Sequence, residues 1–147
     1  MHTIRVRRVL PAAIACLLIG PLAAVASQER SDADKERPKL TLRASPRAGR
    51  SPLRIVLTAE LIGGASDFQE FYCPSVEWEW GDGTESEATM DCDPYEPGKS
   101  EIRRHFTVEH VFRAGTHTVS FRLKQKDKVV AGINTQVQVQ PGIDDRP

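Results

Sequence analysis

The run Val76-Glu77-Trp78-Glu79-Trp80-Gly81-Asp82-Gly83-Thr84 decides the fold. Val76, Trp78 and Trp80 fall on one side of an extended chain and Glu77 and Glu79 on the other, the two-residue period of a half-buried strand. Gly81-Asp82-Gly83 stops the strand, because Asp-Gly supplies the positive φ of a tight turn. The same alternation recurs outward in both directions. Leu40 and Leu42 mark a short first strand, and residues 47–52 turn the chain. Leu53, Ile55, Leu57, Ala59 and Leu61 then share one face, with Val56 implying partial cover of the other. Downstream, Phe106, Val108, His110 and Phe112 alternate, and Arg113-Ala114-Gly115 turns the chain. His117, Val119, Phe121 and Leu123 answer on the next strand, as the second arm of a predicted hairpin. Lys126-Asp127-Lys128 turns once more into a last strand, whose Val137 and Val139 face inward. Six or seven short strands without a helical period predict an all-β sandwich.

Three blocks of this pattern resemble PKD (polycystic kidney disease) domains, in that family's order. Ser51-Pro52-Leu53-Arg54-Ile55-Val56-Leu57-Thr58-Ala59 is similar to the family's second strand. The Trp78, Trp80, Gly81, Asp82, Gly83 run is similar to its signature. His110-Val111-Phe112 followed by Gly115-Thr116-His117-Thr118-Val119 is similar to its late strands. The resemblance spans residues 39–140. It implies an immunoglobulin-like (PKD-type) β-sandwich of about seven strands, used as a noncatalytic extracellular module. The chain departs from the family at His117, where tyrosine is usual, and in the length of residues 84–102. A cysteine pair is not a general feature of the family.

The 147-residue length suits one compact domain, and 20 basic against 20 acidic residues give no basic excess for nucleic acid. Arg5, Arg7 and Arg8 precede an apolar run ending Ala24-Val25-Ala26, which reads as a secretory signal peptide over residues 1–26. An uncleaved anchor is the alternative. Residues 27–38 are polar and aperiodic, a disordered leader; residues 141–147 read as a flexible tail. Export places Cys73 and Cys92 in an oxidising compartment, periplasmic or extracellular, where an even pair forms one disulfide. Closing a loop of about 20 residues, it contributes roughly 3 kcal/mol, mainly by restricting the unfolded chain.

Charge is unevenly spread. Between Arg54 and Lys99 lie eleven acids and no base: Glu60, Asp67, Glu70, Glu77, Glu79, Asp82, Glu85, Glu87, Asp91, Asp93 and Glu96. Either these line a solvated face or they dock a basic partner or a cation. Asp91, Asp93 and Glu96 are the candidate calcium ligands, since hard cations want clustered oxygens. His110 and His117, on one side by parity, are candidate zinc ligands beside a carboxylate, or hydrogen-bonded core histidines. Trp78 and Trp80 read as core. Phe68, Phe71, Tyr72 and Tyr95 read as loop aromatics available to a protein or a sugar. No nucleophile elbow, phosphate loop or His-Glu-x-x-His helix is present, so no enzyme, nucleic-acid partner or cofactor is expected. The reading is a protein-binding module acting through residues 68–99. Polysaccharide binding, or calcium-dependent adhesion or stabilisation, is the alternative.

Overall fold

The computed structural model describes residues 37–143; the expected signal peptide (1–26), most of the expected leader (27–38) and the last four residues lie outside the described residues. Eight strands form two sheets, with no α-helix among the described residues. The strands are β1 (Lys39–Ser45), β2 (Ala48–Arg50), β3 (Leu53–Ile62), β4 (Ser75–Glu79), β5 (Glu85–Ala88), β6 (His105–Phe112), β7 (Gly115–Gln125) and β8 (Lys128–Gln140). A 3₁₀ turn occupies Gln69–Phe71. One sheet has the order β1-β3-β6 and the other β2-β8-β7-β4-β5.

Alternation explains the inner faces. Ile55, Leu57, Ala59 and Leu61 of β3 are buried, as are His117, Val119, Phe121 and Leu123 of β7 and Val76 and Trp78 of β4. The faces meet through aromatic rings: Phe106 of β6 packs on Phe121 of β7 at 5.5 Å between centroids, and Trp80 on Phe112 at 6.4 Å. Phe112, Phe121 and Val119 are fully enclosed. Val56, the exception on β3, is half-buried on the outer face between Ser45 and Glu109.

Two strands exceed the sequence expectation. β2 forms within the turn at residues 47–52, paired parallel to β8 from Ala48↔Gln138 to Arg50↔Gln140. It has no apolar period and rests on backbone bonds, such as Ser51 N–H to the Gln140 carbonyl at 2.9 Å. β5 forms inside the long connection after Thr84, and all four of its residues are exposed. Neither segment carries the apolar alternation by which a strand is recognised.

The expected hairpin across Arg113-Ala114-Gly115 is corrected. β6 pairs with β3, whereas β7 pairs with β4 and β8, so the chain crosses here from one sheet to the other. Parity is blind to this difference, because inward residues face the same core whether the two strands pair or stand opposite. The end of the leader is also corrected. Pro38 is buried, and the Arg37 guanidinium lies 4.8 Å from the Phe71 ring centre, where it donates to the Val130 carbonyl at 2.6 Å and pairs with Glu70.

Candidate interaction site

The tryptophan strand ends in a turn that two sheets fasten. Asp82 Oδ1 accepts from the Thr84 N–H at 2.9 Å and from the Thr84 hydroxyl at 2.5 Å. Its Oδ2 accepts from His110 Nε2 at 2.9 Å. Burial pulls this carboxyl's pKa up. Hydrogen bonds from the Thr84 hydroxyl, His110 and the Thr84 amide outweigh it and bring the group from its ordinary 3.8 to about 2. The His110 ring lies flat on Trp80, 4.2 Å between centroids, and Trp80 stacks in turn on Trp78 at 5.7 Å. The Trp80 indole N–H donates to Ser86 Oγ at 3.1 Å. Gly81 is required by position as well as by its φ of 71°: a Cβ there would stand 2.5 Å from the Thr118 carbonyl oxygen.

His117 is buried and donates from Nε2 to the Arg113 carbonyl at 2.9 Å, pinning the crossover between sheets. Phe112 stands between the two histidines, its ring 4.6 Å from His110 and 5.0 Å from His117. The pair sits on facing sheets rather than on one hairpin. No three His, Cys, Asp or Glu side chains are grouped to hold a metal among the described residues. The zinc and calcium expectations therefore find no assembled ligand set.

The opposite end of the sandwich carries the disulfide. Cys73 and Cys92 are bonded, closing the stretch that contains β4 and β5. Around them the loops lock together. The Tyr72 hydroxyl donates to the Asp93 carbonyl at 3.1 Å and the Tyr95 hydroxyl to the Asp67 carbonyl at 2.6 Å. The Gly98 N–H bonds Asp67 Oδ2 at 3.2 Å. Arg104 spans the bend after β3, donating to the carbonyls of Leu61, Gly63, Gly64 and Ala65. Glu96 is drawn to Lys99 at 2.5 Å, apart from Asp91 and Asp93, which stay exposed.

The four loop aromatics divide. Phe71 is 1% exposed and belongs to the core, which corrects its reading as a free contact. Phe68 is half-buried against it at 5.3 Å. Tyr72 and Tyr95 pack edge to face, 5.4 Å apart with planes at 61°, so they form no flat platform on which a sugar ring could stack.

Folding cancels much of the charge asymmetry. Glu77 meets Arg122 at 2.6 Å and Lys124 at 2.9 Å, and Arg122 also meets Glu79 at 2.9 Å. Hydrogen bonds from Lys124, then Arg122, hold the Glu77 carboxyl below its ordinary range, and the same contacts raise both cations. The acidic face of β4 thus lies against the basic face of β7. Glu60 meets His105 at 3.0 Å. These partners are distant in sequence, and only the register, Glu77↔Arg122 among it, reveals them. Glu85, Asp91 and Asp93 have no ion-pair partner among the described residues, and Glu87 has only Lys124 at 3.6 Å.

No protein-family model matches the chain, and no curated protein matches it. Among solved structures, a superoxide reductase (neelaredoxin) from Ignicoccus hospitalis aligns at a TM-score of 0.46 and 7% identity, covering 80% of this chain and 92% of that one. No helix among the described residues is long and apolar enough to cross a membrane.

Proposed function

We propose that the chain is an exported, noncatalytic, PKD-like immunoglobulin-type module that binds another protein through residues 68–99. The strand order supports the type. β1, β3 and β6 correspond to A, B and E of an immunoglobulin-like sandwich, and β8, β7, β4 and β5 to G, F, C and C′. The Trp-Gly-Asp-Gly turn at the end of β4 is where the family resemblance is strongest. The disulfide lies outside the sheet-to-sheet position usual in antibody domains and fastens a loop instead. Oxidised cysteines and the basic-apolar start of the chain support export to the periplasm or beyond.

The observation that carries the reading is the stapled insertion itself. Residues 84–102 are held by the Cys73–Cys92 bond, by the Tyr72–Tyr95 pair and by the Asp67 contacts, yet they present Glu85, Glu87, Asp91 and Asp93 outward. A rigid surface on which Glu85, Asp91 and Asp93 have no ion-pair partner among the described residues loses little conformational freedom on binding and steers an oppositely charged partner. Affinity capture from the native envelope or secreted fraction tests it, with wild type against Asp91→Lys/Asp93→Lys. A specific protein held by wild type and lost by the variant is expected. Equal capture by both, at equal thermal stability, overturns the loop as the interface.

A further inference from the structure

β5 ends its sheet. It pairs with β4 from Val76↔Ala88 to Glu79↔Glu85 and, among the described residues, with no other strand. The Trp80 N–H bonds the Thr84 carbonyl at 3.1 Å. By the alternation of an antiparallel ladder, the Trp78/Ser86 and Val76/Ala88 pairs then carry the β4–β5 bonds. Glu85 and Glu87 therefore turn their backbone N–H and C=O groups to the open edge. A row of unpaired backbone groups is a template for another strand.

The same alternation puts Glu85 opposite Glu79 and Glu87 opposite Glu77 in the closer, non-hydrogen-bonded pairing. Like charges directly opposite oppose the pairing. Across the outer face of the sheet the charges run basic on β7 (Arg122, Lys124), acidic on β4 and acidic again on β5. A basic strand added outside β5 would complete this row, giving Glu85 a counterion and Glu87 a second one beside Lys124 of β7, which it meets at 3.6 Å. A second copy of β5 would instead place glutamates against glutamates.

The inner side of the edge differs. Beneath Ser86 and Ala88, a groove of about 240 Å³ opens between β5 and β6, the edge strand of the other sheet, and Val76, Trp78, Met90, Phe106 and Val108 line it. Side chains alternate across a strand, so an added segment presents every second residue to the glutamates and the others to the groove mouth.

We propose that the β5 edge accepts, by strand addition, an extended segment of a partner protein in which Lys or Arg alternates with small or apolar side chains. This rests on the reading of residues 68–99 as the contact surface and names the partner's chemistry and the mode of contact.

The test titrates the isotope-labelled, oxidised full chain with three short peptides: lysine alternating with valine, glutamate alternating with valine, and the lysine peptide with valines replaced by proline. Expected are shifts and slowed exchange at the Glu85 and Glu87 amides with the first peptide, and binding at least about tenfold weaker for the other two. Glu85→Lys/Glu87→Lys should reverse the charge preference while Tm stays high enough to keep the fold. Three results overturn the proposal: no binding of the lysine peptide, in which case the glutamates only guard the edge; equal affinity for all three; or self-association through β5. If the charge-reversed β5 variant still captures the native partner while Asp91→Lys/Asp93→Lys does not, strand addition fails and the loop interface stands. Capture lost with the β5 variant alone gives the converse.

Discussion

Removing the disulfide separates two effects of residue 73. Cys73 and Cys92 are 19 apart in sequence, and the cross-link confines a stretch holding two strands. Chain-closure entropy for such a loop is worth about 3 kcal/mol, roughly two powers of ten in the ratio of folded to unfolded chains. The native contacts that dock the loop, from Tyr95 to Asp67 and from Tyr72 to Asp93, do not pass through sulfur. The loss therefore falls on the unfolded ensemble, and the transition stays cooperative. Cys73 also adopts φ of 49°, in the left-handed region. Alanine at 73 keeps that strain and glycine relieves it, a difference of about 1 kcal/mol. Cys73→Ala/Cys92→Ala should thus lose about 3 kcal/mol in urea unfolding, or about 15 °C in Tm. Cys73→Gly/Cys92→Ala should recover about 1 kcal/mol of it. An unchanged urea midpoint in the alanine pair would refute the entropic argument. Equal stability of the two pairs would refute the strain argument.

Three further outcomes are expected. Gly81→Ala should cost about 3 kcal/mol or more by urea unfolding, since the new methyl meets the Thr118 backbone at a positive φ. Asp82, held from 3.8 down to about 2, contributes stability that is complete above its unfolded pKa and lost as pH falls from near 4 towards 2. Thermal melts of Asp82→Asn over that range should show a shallower acid loss than wild type; parallel curves would remove the turn from the acid response. Phe71→Ala should lower stability by about 3–4 kcal/mol, whereas Tyr72→Ala should cost clearly less; similar losses would place both rings in the core.

The alternation along β3, β4, β6 and β7 is legible in the sequence because each strand buries one face, and a period of two records that directly. The cysteine pair is legible from compartment chemistry. β5 is not, since Glu-Ser-Glu-Ala is exposed throughout and forms a strand only because the turn at Asp82 aims it along β4. The crossover at Arg113 escapes the sequence because parity records which way a side chain points and not which strand lies beside it. Phe71 escapes it for a related reason: Phe68, Phe71 and Tyr72 follow no period, and the irregular turn at Gln69–Phe71 decides which ring is swallowed. The acidic stretch is visible as composition, but its neutralisation by Arg122 and Lys124 needs the register of β4 against β7. Arg37 and Arg104, which clamp the loops, carry no motif at all.

β1 enters the sandwich where Lys39 faces Ile62, at the disulfide end, and β8 leaves where Val139 faces Gly115, at the end of the Asp82 turn. The two exits point in opposite directions along the strands. Tension applied through both would load the β1–β3 and β7–β8 hydrogen bonds side by side, in shear, so that many must break at once. The short parallel β2 adds its bonds to β8 at the very exit. Such a geometry resists stretching far better than a hairpin pulled open from one end, and it would keep the stapled loop in place under mechanical load.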